Sequence, residues 1–258
     1  MSERKIIFYD SGVGGLTTLK ETLKMLPNEN YVYFADDLNC PYGNKTQKEI
    51  SELVYRNVKM LLKRYNAKML VFACNTITTC CVGQFRGLYN IEIVGIEPAI
   101  LPAMRNSCSK EILCIATMAT FQQDKYKKLL KRVEGSVFSL GFKGLAEDIE
   151  KSLINNEKVI IDKYLQSINE VSKNNKIDGL VLGCTHYSFL KKEFLLKTGL
   201  MVFDGNLGVA KRVKSLLEKS GKVSERGKGS VEIVLSSKNK TKELQYVKIL
   251  NELLENVI

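Results

Sequence analysis

Two cysteines of this chain stand at the ends of apolar runs and are followed by polar side chains. Cys184 lies in VLGCTHYSFL, two residues before His186, the only histidine of the sequence. Cys74 lies in VFACNTITT, where Asn75 and Thr76 follow it. A thiol with an ordinary pKa of about 8.5 can give or accept a proton near neutral pH. Two thiols on opposite faces of a substrate could remove a proton from one face and return one to the other, which is racemisation.

The chain around these cysteines alternates short apolar runs with longer amphipathic patterns, as in KIIFY followed by GGLTTLKETLKML. Four further runs, KMLVFA, IEIVGI, EILCIA and GLVLG, are apolar throughout. Continuous apolar strands are typical of parallel sheets that helices cover on both faces. We therefore predict an α/β fold with mainly parallel, doubly wound sheets. Ligands of such sheets lie at the carboxyl ends of the strands, where both cysteines are found.

The two cysteine motifs belong to an internal repeat. VFACNTITT (71–79) aligns with VLGCTHYSF (181–189), and IIFYDSGVGG (6–15) aligns with ILCIATMATF (112–121). Each half of the chain therefore offers a loop with a hydroxyl group and, further along, a loop with a cysteine.

This repeat predicts two similar domains that face each other across a cleft containing the active site. We expect residues 1–96 plus 207–258 to form the first domain and residues 97–206 to form the second. The C-terminal segment would thus return to complete the first domain. Cys74 and Cys184 would then lie on opposite sides of the cleft.

The glycine-rich loop DSGVGG, residues 10–15, offers two roles for Asp10. Asp10 could tune Cys74 in the way that His186 would tune Cys184. It could also cap the helix predicted to begin in GVGGL, because Asp is favoured at that position. The glycines would let backbone N–H groups approach an anion at a helix N-terminus, which fits a carboxylate substrate. The loop is neither a GxGxxG fingerprint nor a P-loop.

The composition excludes several classes of protein. No apolar stretch approaches the roughly 20 residues that cross a bilayer, and the N-terminal apolar run is too short for a signal peptide. The seven cysteines are an odd number without a CxxC pair, so we expect reduced thiols in a cytoplasmic protein and no structural zinc site. The remaining buried-type cysteines are expected to act as small packing residues: Cys80, Cys81, Cys108 and Cys114.

The charge balance is basic, with 39 Lys and Arg against 28 Asp and Glu, a net charge of +11. The basic residues are spread along the chain, and the densest cluster, KYKKLLKRV at 125–133, has the spacing of a solvated amphipathic helix. Nucleic-acid binding is therefore not expected.

Five motifs together resemble the cofactor-independent glutamate racemases of bacterial cell-wall synthesis, within the aspartate/glutamate racemase superfamily. They are DSGVGGL at 10–16, YFADDLNCPYGNK at 33–45, ACNT at 73–76, GIEPA at 95–99 and GCTHY at 183–187. The resemblance covers most of the chain. It implies an enzyme that interconverts L- and D-glutamate between two α/β domains and supplies D-glutamate for peptidoglycan. It also implies a homodimer without a cofactor or a metal.

The resemblance further implies roles for individual residues. Cys74 would act on the D isomer and Cys184 on the L isomer, with Asp10 and His186 assisting them. The positions that would contact the substrate are Asp10, Ser11, Tyr42, Gly43, Asn75, Thr76, Thr117, Thr120, Thr185 and His186.

The sequence departs from the family pattern in the second half. Ser139 and Leu140 replace a Cys-Pro pair, and Ala116 stands where a glycine is usual. The assisting glutamate of the family would be Glu147. Since LAEDIE is also an ordinary helix start, Glu147 is not among the predicted catalytic residues.

Three other functions are compatible with parts of the sequence. An aspartate racemase, or another member of the superfamily, would use the same pair of thiols, although PYG and DSGVGG favour glutamate. A basic binding protein with an incidental α/β fold would need neither thiol. A Cys-His hydrolase would leave Cys74 without a role.

Overall fold

The structure is a computed structural model that describes residues 4–225 and 227–255. Residue 226 and the two ends of the predicted first domain lie outside the described residues. The strands are β1 (Lys5–Asp10), β2 (Asn30–Ala35), β3 (Ala67–Phe72), β4 (Glu92–Gly95), β5 (Glu111–Ala116), β6 (Ser136–Gly141), β7 (Gly179–Leu182), β8 (Met201–Asp204) and β9 (Ser230–Leu235).

Helices cover both sheets that these strands form. The helices are α1 (Leu16–Met25), α2 (Gln47–Arg64), α3 (Asn75–Leu88), α4 (Ile100–Asn106), α5 (Met118–Gln122), α6 (Asp124–Leu130), α7 (Leu145–Asn155), α8 (Asp162–Lys173), α9 (Lys191–Thr198), α10 (Asn206–Lys219) and α11 (Lys240–Leu254). Two short 3-10 helices span Tyr42–Asn44 and Thr185–Leu190. None of the helices in the described ranges is long and apolar enough to cross a membrane.

The described strands form two sheets, and the neighbouring strands in both run parallel. The first sheet has the order β4-β3-β1-β2-β9, and the second has the order β6-β5-β7-β8. The prediction of an α/β fold with parallel sheets is confirmed.

Both faces of each sheet are buried, which explains the continuous apolar strands. In β1, Ile6 and Phe8 lie in the core on one side of the first sheet, whereas Ile7 and Tyr9 lie in the core on the other. Successive side chains of a strand point to opposite faces, so a strand with helices on both sides must be apolar at every position. The second sheet is built in the same way, with helices packed against each face.

The path of the chain between the sheets supports the predicted division into domains. After β8 in the second sheet, α10 packs Val209 and Val213 into the core of the first sheet, and β9 then pairs with β2. We propose domains of residues 1–96 plus 207–258 and of residues 97–206.

Three of the four cysteines that were expected to act as packing residues are buried. Cys80, Cys81 and Cys114 are buried, but Cys108 is exposed, so the expectation for Cys108 is wrong. Cys108 lies in the turn between α4 and β5, where its backbone N–H donates to Asp178. Its neighbour Ser107, rather than Cys108, provides the buried side chain of this turn.

Candidate active site

The site residues stand at the point in each sheet where the strand order reverses direction. In the first sheet the chain moves from β1 to β2 on one side and then to β3 on the other, so β1 and β3 are neighbours. In the second sheet β5 and β7 are neighbours in the same way. Loops diverge at such a switch point and leave a crevice at the carboxyl ends of the strands. Asp10 ends β1, Thr117 follows β5, and Cys74 and Cys184 each come two residues after β3 and β7.

Cys74 is buried at the carboxyl end of the first sheet. It precedes α3 in an extended conformation, and its Sγ lies 3.9 Å from the Ser11 hydroxyl. Burial raises the pKa of the Cys74 thiol well above its ordinary value, and the negative charge of Asp10 raises this pKa further. The backbone N–H of Ile77 opposes the rise, and Cys184 adds to it. The Cys74 thiol therefore keeps its proton at neutral pH.

Cys184 is buried at the carboxyl end of the second sheet, immediately before the 3-10 helix Thr185–Leu190. Its Sγ lies 4.0 Å from Nδ1 of His186. The loop of Cys184 meets the loop beside Cys74 in one buried region, where the Thr185 hydroxyl donates to Asp10 and the Ser11 hydroxyl contacts Cys74. The structure thus brings together the two cysteines that the repeat predicts to face each other.

His186 is held by a glutamate from α7. The N–H at Nε2 of His186 donates to Oε2 of Glu150 at 2.8 Å. Burial lowers the pKa of His186, but hydrogen bonds with Cys184, Cys40 and Glu150 outweigh burial and raise this pKa well above its usual value. Burial raises the pKa of Glu150, yet the bond from His186 and bonds from Tyr246 and the backbone leave it below its usual value. The result is an imidazolium–carboxylate pair beside Cys184.

Glu150 is a residue that sequence reasoning missed. The candidate glutamate there was Glu147, one turn earlier in α7, whose carboxylate instead accepts a hydrogen bond from the exposed Asn44. The available signal was weak: Glu150 is an acidic residue that directly follows the apolar Ile149 and lies one turn before the apolar Leu153, and both of these contact hydrophobic cores. Cys40, Glu150 and His186 also form a group of possible metal ligands in the described part of the chain.

Asp10, at the end of β1 in the first sheet, contacts Thr185, which follows β7 of the second sheet. Its Oδ1 accepts from the backbone N–H and the hydroxyl of Ser11, and its Oδ2 accepts from the Thr185 hydroxyl at 3.1 Å. Burial raises the pKa of Asp10, and the charge of His186 opposes the rise. Asp10 is not the cap of α1, because the capping residue is Gly15 and no side chain caps this helix. That interpretation of Asp10 is wrong.

The glycines of DSGVGG make room for the opposite loop. A Cβ on Gly14 would lie 2.6 Å from Nδ1 of His186 and 2.8 Å from its backbone nitrogen. The backbone N–H of Val13 donates to Oε2 of Glu150 at 2.8 Å. At least one anion at this loop is therefore a carboxylate of the protein itself.

The polar side chains around the thiols include three hydroxyls in hydrogen-bond contact and one amide that has no hydrogen-bond partner among the described residues. The hydroxyls of Thr76, Thr117 and Thr120 lie in sequence, with oxygen–oxygen distances of 3.2 Å and 3.0 Å. Asn75 is 3% exposed, yet both polar atoms of its amide lack a hydrogen-bond partner among the described residues. Buried polar atoms are almost always paired, so an unpaired buried amide in a cleft is an open position for a ligand.

The PYG loop lies across the cleft from Thr117. A Cβ on Gly43 would lie 2.8 Å from Cβ of Thr117, so this glycine allows the loop to approach α5 closely. A cavity of about 580 Å³ opens between the loop and α5. The Tyr42 hydroxyl, in contrast, contacts Oδ2 of Asp36 at 2.5 Å and the Tyr9 hydroxyl at 2.8 Å. The Tyr42 side chain anchors the loop, and the loop backbone is the part that lies near the cleft.

Comparison with known proteins identifies the family of this constellation. The family described as Asp/Glu/hydantoin racemase matches residues 11–213. A glutamate racemase of Halothermothrix orenii is 38% identical over 255 residues, which cover 96% of this chain and 100% of the relative. Glutamate racemase 2 of Bacillus subtilis is 38% identical over 236 residues, or 88% of this chain and 86% of the relative.

Solved structures agree with this family. A glutamate racemase isoform of Bacillus anthracis has a TM-score of 0.85 and 26% identity, with 99% of this chain and 95% of that chain covered. The Escherichia coli glutamate racemase, solved with L-glutamate and the activator UDP-MurNAc-Ala, has a TM-score of 0.85 and 28% identity, with 97% and 95% covered. An aspartate racemase homologue of Pyrococcus horikoshii, at 18% identity and a TM-score of 0.55, shares the fold.

Proposed function

The chain belongs to the Asp/Glu/hydantoin racemase family, and we propose that it interconverts L- and D-glutamate by proton transfer between two thiols, without a cofactor. The observation that carries this proposal is the placement of Cys74 and Cys184 at equivalent switch points of two sheets, in one buried site. A hydrolase built on Cys184 and His186 alone would not need the second thiol.

The two thiols have neighbours of opposite charge. The positive charge of His186 lies beside Cys184, whereas burial and Asp10 keep the proton on Cys74. The Cys184 thiolate takes the α-proton from L-glutamate and becomes a thiol. Cys74 gives its proton to the opposite face of the carbanion and becomes a thiolate, and the product is D-glutamate. The reverse reaction uses the same two groups in exchanged roles.

Donors around the thiols would stabilise the carbanion and hold the substrate. The Asn75 amide, which has no protein partner in the described chain, is suited to bind a carboxylate of the substrate. Ser11, Thr76 and Thr185 place hydroxyl groups around the same cleft. Preorganised donors of this kind stabilise charge that develops in the transition state. Gly43, Thr117 and Thr120 complete the proposed substrate contacts, and Tyr42 contributes by positioning the loop.

The choice of glutamate rests on the relatives and on the PYG and DSGVGG loops. The longer side chain of glutamate must reach donors while its α-carbon stays between the thiols, so aspartate should be racemised far more slowly. The test is chiral chromatography of L- and D-glutamate after incubation with the purified protein without added cofactor. Equal specificity constants for glutamate and aspartate would indicate another member of the superfamily.

We further propose the cellular setting that this activity implies. D-glutamate made in the cytoplasm would supply peptidoglycan synthesis, as in cell-wall biogenesis by glutamate racemases. The enzyme would act as a homodimer, which light scattering after size-exclusion chromatography tests directly. Nucleic acid has no part in this proposal, and a DNA mobility shift that persists at moderate salt would contradict it.

A further inference from the structure

Three side chains with metal-binding atoms meet beside the proposed active site. They are Cys40 from the loop before Pro41, Glu150 from α7 and His186 from the 3-10 helix Thr185–Leu190. A sulfur of Cys40, a carboxylate oxygen of Glu150 and a ring nitrogen of His186 all lie within 4.8 Å of one another. These residues come from three separate segments, so no metal-binding spacing in the sequence reveals them.

We propose that Cys40, Glu150 and His186 form an inhibitory site for Zn²⁺ or a divalent cation of similar softness. Thiolate, imidazole and carboxylate are the donors that zinc accepts, and three protein ligands leave a fourth position for water. A thiolate and a carboxylate also carry two negative charges, which balance the charge of the cation. Binding would release the thiol proton of Cys40 and the ring proton of His186 to the solvent.

The surrounding structure leaves room for this geometry and supports it. A Cβ on Gly12 would lie 2.8 Å from Sγ of Cys40 and would collide with Oε2 of Glu150, so the glycine keeps this space open. The second oxygen of Glu150 accepts a hydrogen bond from the Tyr246 hydroxyl at 2.6 Å. Such outer contacts orient a ligand and increase metal affinity. Cys40 is only partly buried, which leaves a route for the cation.

The position of the site determines what binding does. In the free protein Glu150 holds the His186 imidazolium beside Cys184. A cation on Glu150 and His186 would replace the hydrogen bond between them and fix the His186 ring, whose Nδ1 lies 4.0 Å from Sγ of Cys184, so cation binding would disturb the proposed proton transfer at Cys184. The inhibition rests on the proposed racemase function, whereas cation binding itself does not.

The direct test is Zn²⁺ binding to the chelator-treated protein, measured in competition with a chromophoric chelator. Cys40→Ser should weaken binding by more than about tenfold, since loss of outer contacts alone costs this much. Cys108→Ser is the matched control, because it removes an exposed thiol elsewhere and should leave affinity unchanged. Co²⁺ in place of Zn²⁺ should give a thiolate charge-transfer band that Cys40→Ser loses. Cys40→Ala serves if the serine variant does not fold.

A rival site between Cys74 and Cys184 predicts a different pattern. Equal Zn²⁺ affinity in Cys40→Ser and wild type, or loss of the Co²⁺ band in Cys184→Ser but not in Cys40→Ser, would overturn the proposal. In the activity assay, Zn²⁺ should inhibit Cys40→Ser only at concentrations at least about tenfold higher, relative to its own zinc-free rate. If the protein binds Zn²⁺ at Cys40 but does not racemise glutamate, the proposed function fails and the cation site remains.

Discussion

The two thiols occupy equivalent places in the two sheets but have neighbours of opposite charge. Cys74 lies beside Ser11 and near the carboxylate of Asp10, whereas Cys184 lies 4.0 Å from the His186 imidazolium. Both cysteines follow a strand by two residues and precede a helix. The repeated backbone therefore sets where each thiol stands, and the side chains that differ between the two halves, Asp10 and His186, set the charge beside it.

The largest effect is expected from removal of either thiol. Cys74→Ser and Cys184→Ser each replace a thiol by a hydroxyl of much higher pKa, so each should lower racemisation by about 10²–10⁴-fold. The measurement is kcat for L- and D-glutamate, with Cys108→Ser as the control for a change of thiol count. Near wild-type racemisation by Cys74→Ser would make Cys74 a core residue and leave a mechanism centred on Cys184 and His186.

The same two variants should differ from each other with a substrate that needs only one base. Elimination of HX from an N-hydroxy or halogenated glutamate needs chiefly the thiolate that faces the α-hydrogen. Cys74→Ser should retain more elimination from the L isomer, and Cys184→Ser should retain more from the D isomer. The measurement is the elimination rate of each isomer with each variant. The same isomer preference in both variants would contradict the assignment of the two thiols to opposite faces of the substrate.

A smaller effect is expected when the His186 imidazolium loses its carboxylate partner, Glu150. Glu150→Gln removes a carboxylate that raises the pKa of His186, so the imidazolium should be lost at a lower pH in the variant. Racemisation should fall by about 10²-fold, the lower end of the range for a positioned proton-transfer group. The decline of kcat with rising pH should begin at a lower pH in the variant than in the wild type. The measurement is the pH profile of kcat. Glu147→Gln, in the same helix but bonded to Asn44, should keep the wild-type profile, and an equal shift in both variants would remove Glu150 from the site.

The smallest effect is expected from a methyl group where the glycine-rich loop contacts His186. Gly14→Ala places a Cβ against His186, and such overpacking should destabilise the protein by about 1–3 kcal/mol. Gly83→Ala is the control, because a Cβ at that position in α3 meets nothing within 4 Å and a helical alanine is favoured. Thermal unfolding should therefore show a lower Tm for Gly14→Ala and an equal or higher Tm for Gly83→Ala. Equal melting temperatures for Gly14→Ala and wild type would mean that the loop moves away without cost.

Part of the site could be predicted from local patterns because strand ends are local features. The apolar runs before Cys74 and Cys184 predicted buried parallel strands, and parallel strands bring their carboxyl ends to one edge. The roles of Tyr42 and Cys108 depended on packing. The Tyr42 hydroxyl is held by Asp36 and Tyr9, and Cys108 lies in a turn whose exposure its sequence did not indicate.

The sequence by itself determined the fold class and the position of the two thiols after their strands, because hydrophobic periodicity and strand length depend on consecutive residues. The tertiary structure alone decided which residue holds His186. Glu150 accepts from Val13, 137 positions away, and from Tyr246, 96 positions away, while it holds His186. Contacts over such separations follow from how helices pack between two sheets, and no local pattern encodes them. The hydrogen bond that holds the His186 ring beside Cys184 is for this reason a property of the folded chain.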